Sequence, residues 1–234
     1  MSRRLRLTQE VVDYVMGDAY QGTEISLFNL GNIEEHLNEE FLIQDLLIGI
    51  GMASASDCTY MIVRDISGSE EAFVDLMNQK VAELGLQNTH FSNAIGIENE
   101  SNYTTAEDMA VIMAYAMQSE LIADILKPRD QVYTIKAHYI DEFGDEQTYN
   151  VHFESSFLSR KEKYKNFQLT TTRLDATKTG YTNESFIVCM ATSKQTGKKY
   201  ILVLGNQKSD HTTISEKFKA TMMDIEFLYN EYVK

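Results

Sequence analysis

Lys178-Thr179-Gly180 is the stretch of this 234-residue chain with the most direct chemical use. It places an ammonium, a hydroxyl and a residue without a Cβ in succession, ahead of the apolar run Phe186-Ile187-Val188-Cys189-Met190-Ala191. Ammonium and hydroxyl donors at a strand edge can hold a carboxylate, and the glycine lets a ligand backbone come close enough to pair as an added strand. Ala176 to Thr182 therefore reads as the start of a buried strand with a binding edge. The plain alternative is a turn that happens to precede a strand. A second candidate is Ser54-Ala55-Ser56-Asp57-Cys58. Small hydroxyl residues between two apolar helical runs suit a helix junction, with Ser54 or Ser56 capping the following helix. Beside a cleft, the same hydroxyls can pass a proton or bind an amide.

The bulk composition narrows the classes of partner. A formal net charge of −14 argues against a surface that tracks phosphates, so no nucleic acid is expected. The one basic cluster, Ser2-Arg3-Arg4-Leu5-Arg6, reads as a solvated end. No transmembrane segment is expected, because no stretch has the apolar length to cross a bilayer, and the start of the sequence lacks the apolar segment of a signal peptide. Cys58 and Cys189 sit in apolar surroundings and read as small buried hydrophobes. His36, His90, His138, His152 and His211 show no paired ligand spacing, so neither a metal nor another cofactor is expected. No repeat or low-complexity linker marks a boundary, and residues 1–234 read as one domain.

The elements that must position these groups follow from periodicity. Val11, Val12, Val15 and Met16 fit a short helix, followed by a loop-like region from Gly17 to Gly31. Leu42, Leu46, Leu47 and Ile50 fall on one helical face, and the uncharged run Ile48 to Ala53 suggests a helix end buried on most sides. A second run through Met61, Ile62 and Ile66 stops at Ser67-Gly68. Ser69 caps a third helix, with Phe73, Val74, Met77, Val81 and Leu84 inward and Gly85 ending it. Thr104-x-x-Glu107 forms a capping box for a helix carrying Met109, Ile112, Met113, Ala116 and Met117. Beyond Pro128 the period changes to that of a strand hairpin, with Asp141 to Glu146 as its loop. Ser155 to Thr172 is polar and irregular. Two continuous apolar strands, Ser185 to Thr192 and Tyr200 to Leu204, indicate a sheet covered on both faces. A long amphipathic helix opens at Thr213-x-x-Glu216, with a stripe of Phe218, Met222, Ile225, Tyr229 and Tyr232.

The local wording is more specific than this organisation. Leu46-Leu47 leading to Ser54-Ala55-Ser56-Asp57, then Ser67-Gly68-Ser69, Phe73, Met77-Asn78-Gln79-Lys80, Leu84-Gly85-Leu86, Asn88-Thr89-His90-Phe91, Asn93, Gly96, Tyr103-Thr104-Thr105-Ala106 and Asp108-Met109, with Lys178-Thr179-Gly180-Tyr181-Thr182 downstream, resembles the serine D-alanyl-D-alanine carboxypeptidases. These are low-molecular-weight penicillin-binding proteins that trim bacterial cell-wall peptides. The resemblance covers about Leu42 to Gly205. It implies an α+β fold of DD-peptidase/β-lactamase type, an antiparallel sheet covered by helices. It also implies a location on the cell-wall side of the membrane, peptidoglycan stem peptides ending in D-Ala-D-Ala as substrate, and β-lactams as mimics of that substrate.

The family works by acyl transfer with three motifs, Ser-x-x-Lys, a Ser-x-Asn type triplet and Lys-Thr-Gly. By resemblance, Ser54 relays a proton towards the leaving amine, and Lys178 and Thr179 hold the terminal carboxylate. Gly180 makes room for the substrate strand, and the Tyr181 N–H supplies half of an oxyanion hole. Ser56 stands where the family has asparagine, and a hydroxyl reaches less far than an amide. No serine of the sequence has lysine three positions later, so the first motif is missing. The chain then reads as a partial domain without its first strands and nucleophile helix, inactive by itself, with apolar surface exposed at Leu46, Leu47 and Phe186 to Ala191. Two other readings stand beside it. One is a non-catalytic binder of D-Ala-terminated peptides or of a protein partner; the other is a β-lactamase-like hydrolase.

Overall fold

The strands pair into two separate antiparallel sheets. The structure is a computed structural model that describes residues 3–16, 36–129, 132–181, 185–205 and 213–233; the Gly17 to Gly31 region and Thr182 lie outside them. The first sheet has the order β1 (Arg4–Arg6), β2 (Glu40–Leu42), β3 (Tyr133–Ile140) and β4 (Glu146–Phe153). Ile135 and Ala137 of β3 point inward while Thr134 and Lys136 point out, so this sheet has one dry face. The second sheet has the order β5 (Thr172–Tyr181), β6 (Ser185–Ser193) and β7 (Lys199–Leu204).

Helices fill the remaining layers: α1 (Gln9–Met16), α2 (Ile43–Ala53), α3 (Ser56–Ser67), α4 (Glu70–Glu83), α5 (Ala106–Ala116), α6 (Glu120–Ile125), α7 (Ser156–Lys163) and α8 (Ile214–Tyr232). The unbroken hydrophobicity of β6 has the expected cause. Ile187, Cys189 and Ala191 pack against Met222, Ile225 and Tyr229 of α8, while Met190 joins Met113 of α5 and Ala176 on the other face. The Tyr229 hydroxyl donates to the Cys189 carbonyl at 3.1 Å, which ties α8 across the sheet.

Several local expectations change. Neither Ser54 nor Ser56 caps α3: its N-cap is Ala55, and Ser54 is the left-handed C-cap of α2 (φ 57°, ψ 38°), its N–H bonded to the Gly49 carbonyl. The junction is too tight for a hydroxyl to turn back on the next helix. The box at Thr104 moves by one residue to Thr105, which accepts from the Asp108 N–H. The Asp108 carboxylate is drawn away to the Asn88 N–H and the Thr89 hydroxyl, so no reciprocal box closes. At α8 the reciprocal box of Thr213 and Glu216 is present. The α8 stripe ends on Val233 rather than Tyr232, which is 74% exposed. Ile66 is also exposed. Of the α2 face, Leu46 is fully buried, joined by Ile48, Gly49 and Met52 rather than by Leu47 and Ile50. In α4 only Val81 is fully buried.

Two corrections are larger. The polar stretch after Ser155 contains α7, started by the Ser155 hydroxyl accepting from the Leu158 N–H. Lys178-Thr179-Gly180 lies within a strand of its own, β5, which pairs antiparallel with β6. The expected apolar exposure is also absent where it matters most. Leu46 is covered by a core that includes α1, Phe41 and Ile135, and of the Phe186 to Ala191 run only Phe186 stands open, at 42%.

Gly51 shows how closely α2 and α6 approach: a Cβ built there would stand 2.2 Å from Cγ2 of Ile125. Alanine inside an open helix gains about 1 kcal/mol over glycine. At Gly51 overpacking of about 1–3 kcal/mol opposes that gain, so Gly51→Ala is expected to lower stability in urea unfolding. A rise would show that α6 is not packed on α2 as described.

Candidate active site

The candidate site lies along the free side of β5, an outer strand of its sheet. Along a strand, successive side chains point to opposite faces. Lys178, paired with Val188, is on the same face as Ala176, and Thr177 and Thr179 are on the other. Lys178 reaches the helix junction: its Nζ is 2.5 Å from Ser54 Oγ and 2.6 Å from the Thr179 carbonyl oxygen, donating to both. The left-handed turn at Ser54 ends α2 beside β5, so residues from two distant segments meet there. Such a backbone conformation is uncommon for a residue with a Cβ, and its position against the Lys178 ammonium is a reason to look for function there.

Thr179 is buried and lines a cavity of about 10 Å³ together with Gly51, Leu126, Ser155 and Thr177, room for about one water. Gly180 is held from behind. Arg160 of α7, only 2% exposed, donates through Nη2 to the Gly180 carbonyl at 2.8 Å and more loosely through Nη1 to the Phe186 carbonyl at 3.5 Å. Its guanidinium lies 4.2 Å from the ring centroid of Phe218 in α8. Tyr181, 38% exposed, meets the same Phe218 ring edge-on at 5.5 Å. Ser56 is buried at the start of α3, and no hydrogen bond joins it to Lys178, Thr179, Gly180 or Tyr181.

Two enclosed cations thus flank β5 in a strongly acidic chain, Lys178 beside Ser54 and Arg160 behind Gly180. Burial, and secondarily the Arg160 charge, bring the Lys178 pKa down to about 8, and burial brings Arg160 down to about 10. An enclosed positive pair of this kind favours an anionic group, which would restore charge balance without adding water. Arg160 and Leu126 are the site residues that sequence reasoning missed. Arg160 sits in the stretch read as irregular. Its one signal is a basic residue three positions after Phe157, a spacing that gains meaning only once α7 is a helix.

The sequence profile of the D-alanyl-D-alanine carboxypeptidases matches residues 17–209. The chain belongs to that family. It is 29% identical over 194 residues to the D-alanyl-D-alanine carboxypeptidase DacF of Bacillus subtilis, covering 83% of this chain and 44% of that protein. It is 28% identical over 148 residues to the D-alanyl-D-alanine endopeptidase of Escherichia coli, covering 63% of this chain and 42% of the relative. The chain spans about half the length, or less, of the curated relatives it matches. In fold it is similar to the crystal structure of the Streptomyces K15 DD-transpeptidase, with a TM-score of 0.69, 21% identity, and coverage of 97% of this chain and 79% of that one. The helix-plus-antiparallel-sheet architecture implied by resemblance is therefore the observed one. Among the described residues no helix is long and apolar enough to cross a membrane.

The Lys178 ammonium is expected to titrate near pH 8 when followed by NMR of labelled lysine side chains. Arg160→Met should raise that value only partway, because burial is the larger cause and persists. Since the folded value lies below the unfolded one, charged Lys178 costs stability in full below about pH 8, and the cost fades as pH rises towards the unfolded value. Titration at the ordinary lysine value of about 10.4 would show that the ammonium is not enclosed.

Proposed function

We propose that the free side of β5 binds peptidoglycan stem peptides ending in D-Ala-D-Ala, as part of a serine-type acyl-transfer site on the cell-wall side of the membrane. In this reading Lys178 and Thr179 hold the terminal carboxylate. The Tyr181 N–H polarises the carbonyl of the penultimate residue as half of an oxyanion hole. In a complete acyl-transfer site, Ser54, in contact with Lys178, would pass a proton to the D-alanine amine as an acceptor nucleophile bonds to the carbonyl carbon and the peptide C–N bond breaks.

The single observation that best supports this reading is the Lys178–Ser54 contact at 2.5 Å on an outer strand. Gly180 adds to it. A Cβ there would make only an ordinary contact of 3.6 Å with Phe186, so the fold does not require glycine. Its use is on the ligand side. Ser56, in place of the family's asparagine, leaves a shorter reach to the substrate backbone.

The acyl acceptor is the open part of the site. With no Ser-x-x-Lys in the sequence, we propose that this chain binds without turning over, since loss of a serine nucleophile costs about six orders of magnitude in rate. β-lactams then associate without acylating it. Calorimetry with N-acetyl-L-lysyl-D-alanyl-D-alanine is expected to show binding that Lys178→Ala weakens at least about tenfold, or 1.4 kcal/mol, and that amidation of the peptide terminus weakens similarly. Equal affinity for parent and variant would overturn the carboxylate assignment. A fluorescent penicillin is expected to leave no covalent band, and a band would reveal a nucleophile in this chain.

A further inference from the structure

The groove on β5 ends in a stop made by the protein's own backbone. β5 runs from Thr172 to Tyr181, so a peptide added antiparallel enters beside Tyr181 and points its C-terminus towards Thr177. Backbone groups of alternate residues face alternate edges. The Thr177 N–H donates to the Leu126 carbonyl at 2.9 Å, away from β6. Thr177, Thr179 and Tyr181 therefore face the free side, and Lys178 and Gly180 face β6.

The three outward positions are not equivalent. Tyr181 offers a donor and an acceptor, which suits a peptide unit. At Thr179 the carbonyl is already engaged by Lys178 Nζ at 2.6 Å. What remains there is the N–H and the ammonium, which only donate, and a hydroxyl that can turn to donate as well, so a group that only accepts satisfies all three. A carboxylate qualifies, whereas a further peptide N–H would find only the hydroxyl to accept it and would face the two pure donors. At Thr177 the position is filled by Leu126, just beyond α6, and the adjoining cavity holds about one water. α6 is itself held in place, with Ile125 6% exposed and its Cγ2 pressed onto Gly51.

We propose that Leu126, fixed against Thr177 by the packing of α6 on Gly51, is a specificity-determining residue that limits the ligand to a single residue after the one opposite Tyr181. This rests on the peptide-binding reading of the site given above. Family membership does not settle the point, because relatives named carboxypeptidase and endopeptidase both match this chain. The stop assigns the chain to ligands that end in the groove.

The test compares N-acetyl-L-lysyl-D-alanyl-D-alanine with the same peptide extended by glycyl-glycine, by calorimetry on the full chain. The parent is expected to bind the extended peptide at least about tenfold more weakly. Gly51→Ala, which pushes on α6, and Ile125→Ala, which loosens it, are expected to narrow that ratio at least about threefold and to speed hydrogen exchange of the Thr177 amide. The ratio between two peptides is insensitive to the fraction of folded protein, and either variant suffices if the other does not fold. Equal binding of both peptides by the parent overturns the stop and leaves the peptide-binding reading standing. A ratio unchanged in the variants overturns the role of Leu126. Binding of neither peptide overturns the peptide-binding reading, and the stop with it.

Discussion

The contact between the Lys178 ammonium and the Ser54 hydroxyl joins positions 124 residues apart, and the rest of the site depends on it. Enclosing a cation is costly. A pKa brought down to about 8 corresponds to a penalty on the charged form on the order of 3 kcal/mol. The fold tolerates that cost because other interactions hold both partners. α2 ends in a left-handed turn with Leu46, Ile48 and Met52 already buried, and β5 is pinned on one side by β6 and on the other by Leu126. Neither segment can relax to free the ammonium. Strain and desolvation concentrated at one point of a well-packed scaffold are characteristic of a binding site.

Arg160 bears on the same point from the opposite side of the strand. A second buried cation near Lys178 raises the cost of charge, and a protein selecting only for stability would gain by replacing it with an apolar side chain. Its compensations are specific: the Gly180 carbonyl, the Phe186 carbonyl and the face of Phe218. These hold the facing ends of β5 and β6 and leave the Tyr181 backbone on the free edge of β5. Phe218 belongs to α8, so the closing helix contributes to the site through packing, without offering a polar group of its own.

Much of the framework was legible because it obeys one period at a time. The β3–β4 hairpin, the two-faced β6, the Ser69 cap and the Thr213 box each rest on residues within one element, and local chemistry decides them. α7 was not legible. Eight residues with a mean preference for water have too little apolar periodicity to announce a helix, and its existence depends on burying Phe157 and Arg160 against β5 and α8. The cap positions at Ala55 and Thr105 slipped by one residue for a related reason: competing tertiary partners, such as Asn88 and Thr89 for Asp108, outbid the local pattern.

The candidate site divides in the same way. Lys178, Thr179, Gly180 and Ser54 could be nominated from the chain because residue type carries their chemistry. Leu126 could not, because its contribution is a carbonyl that any residue possesses. What makes that carbonyl matter is its position opposite Thr177, and that position follows from Gly51 allowing α6 to approach α2 closely. A side chain at Gly51 would shift α6 and with it the end of the groove, although Gly51 touches no ligand. Specificity of this kind is written in the absence of a Cβ and the direction of a peptide bond, two features that a motif search has no means of weighing.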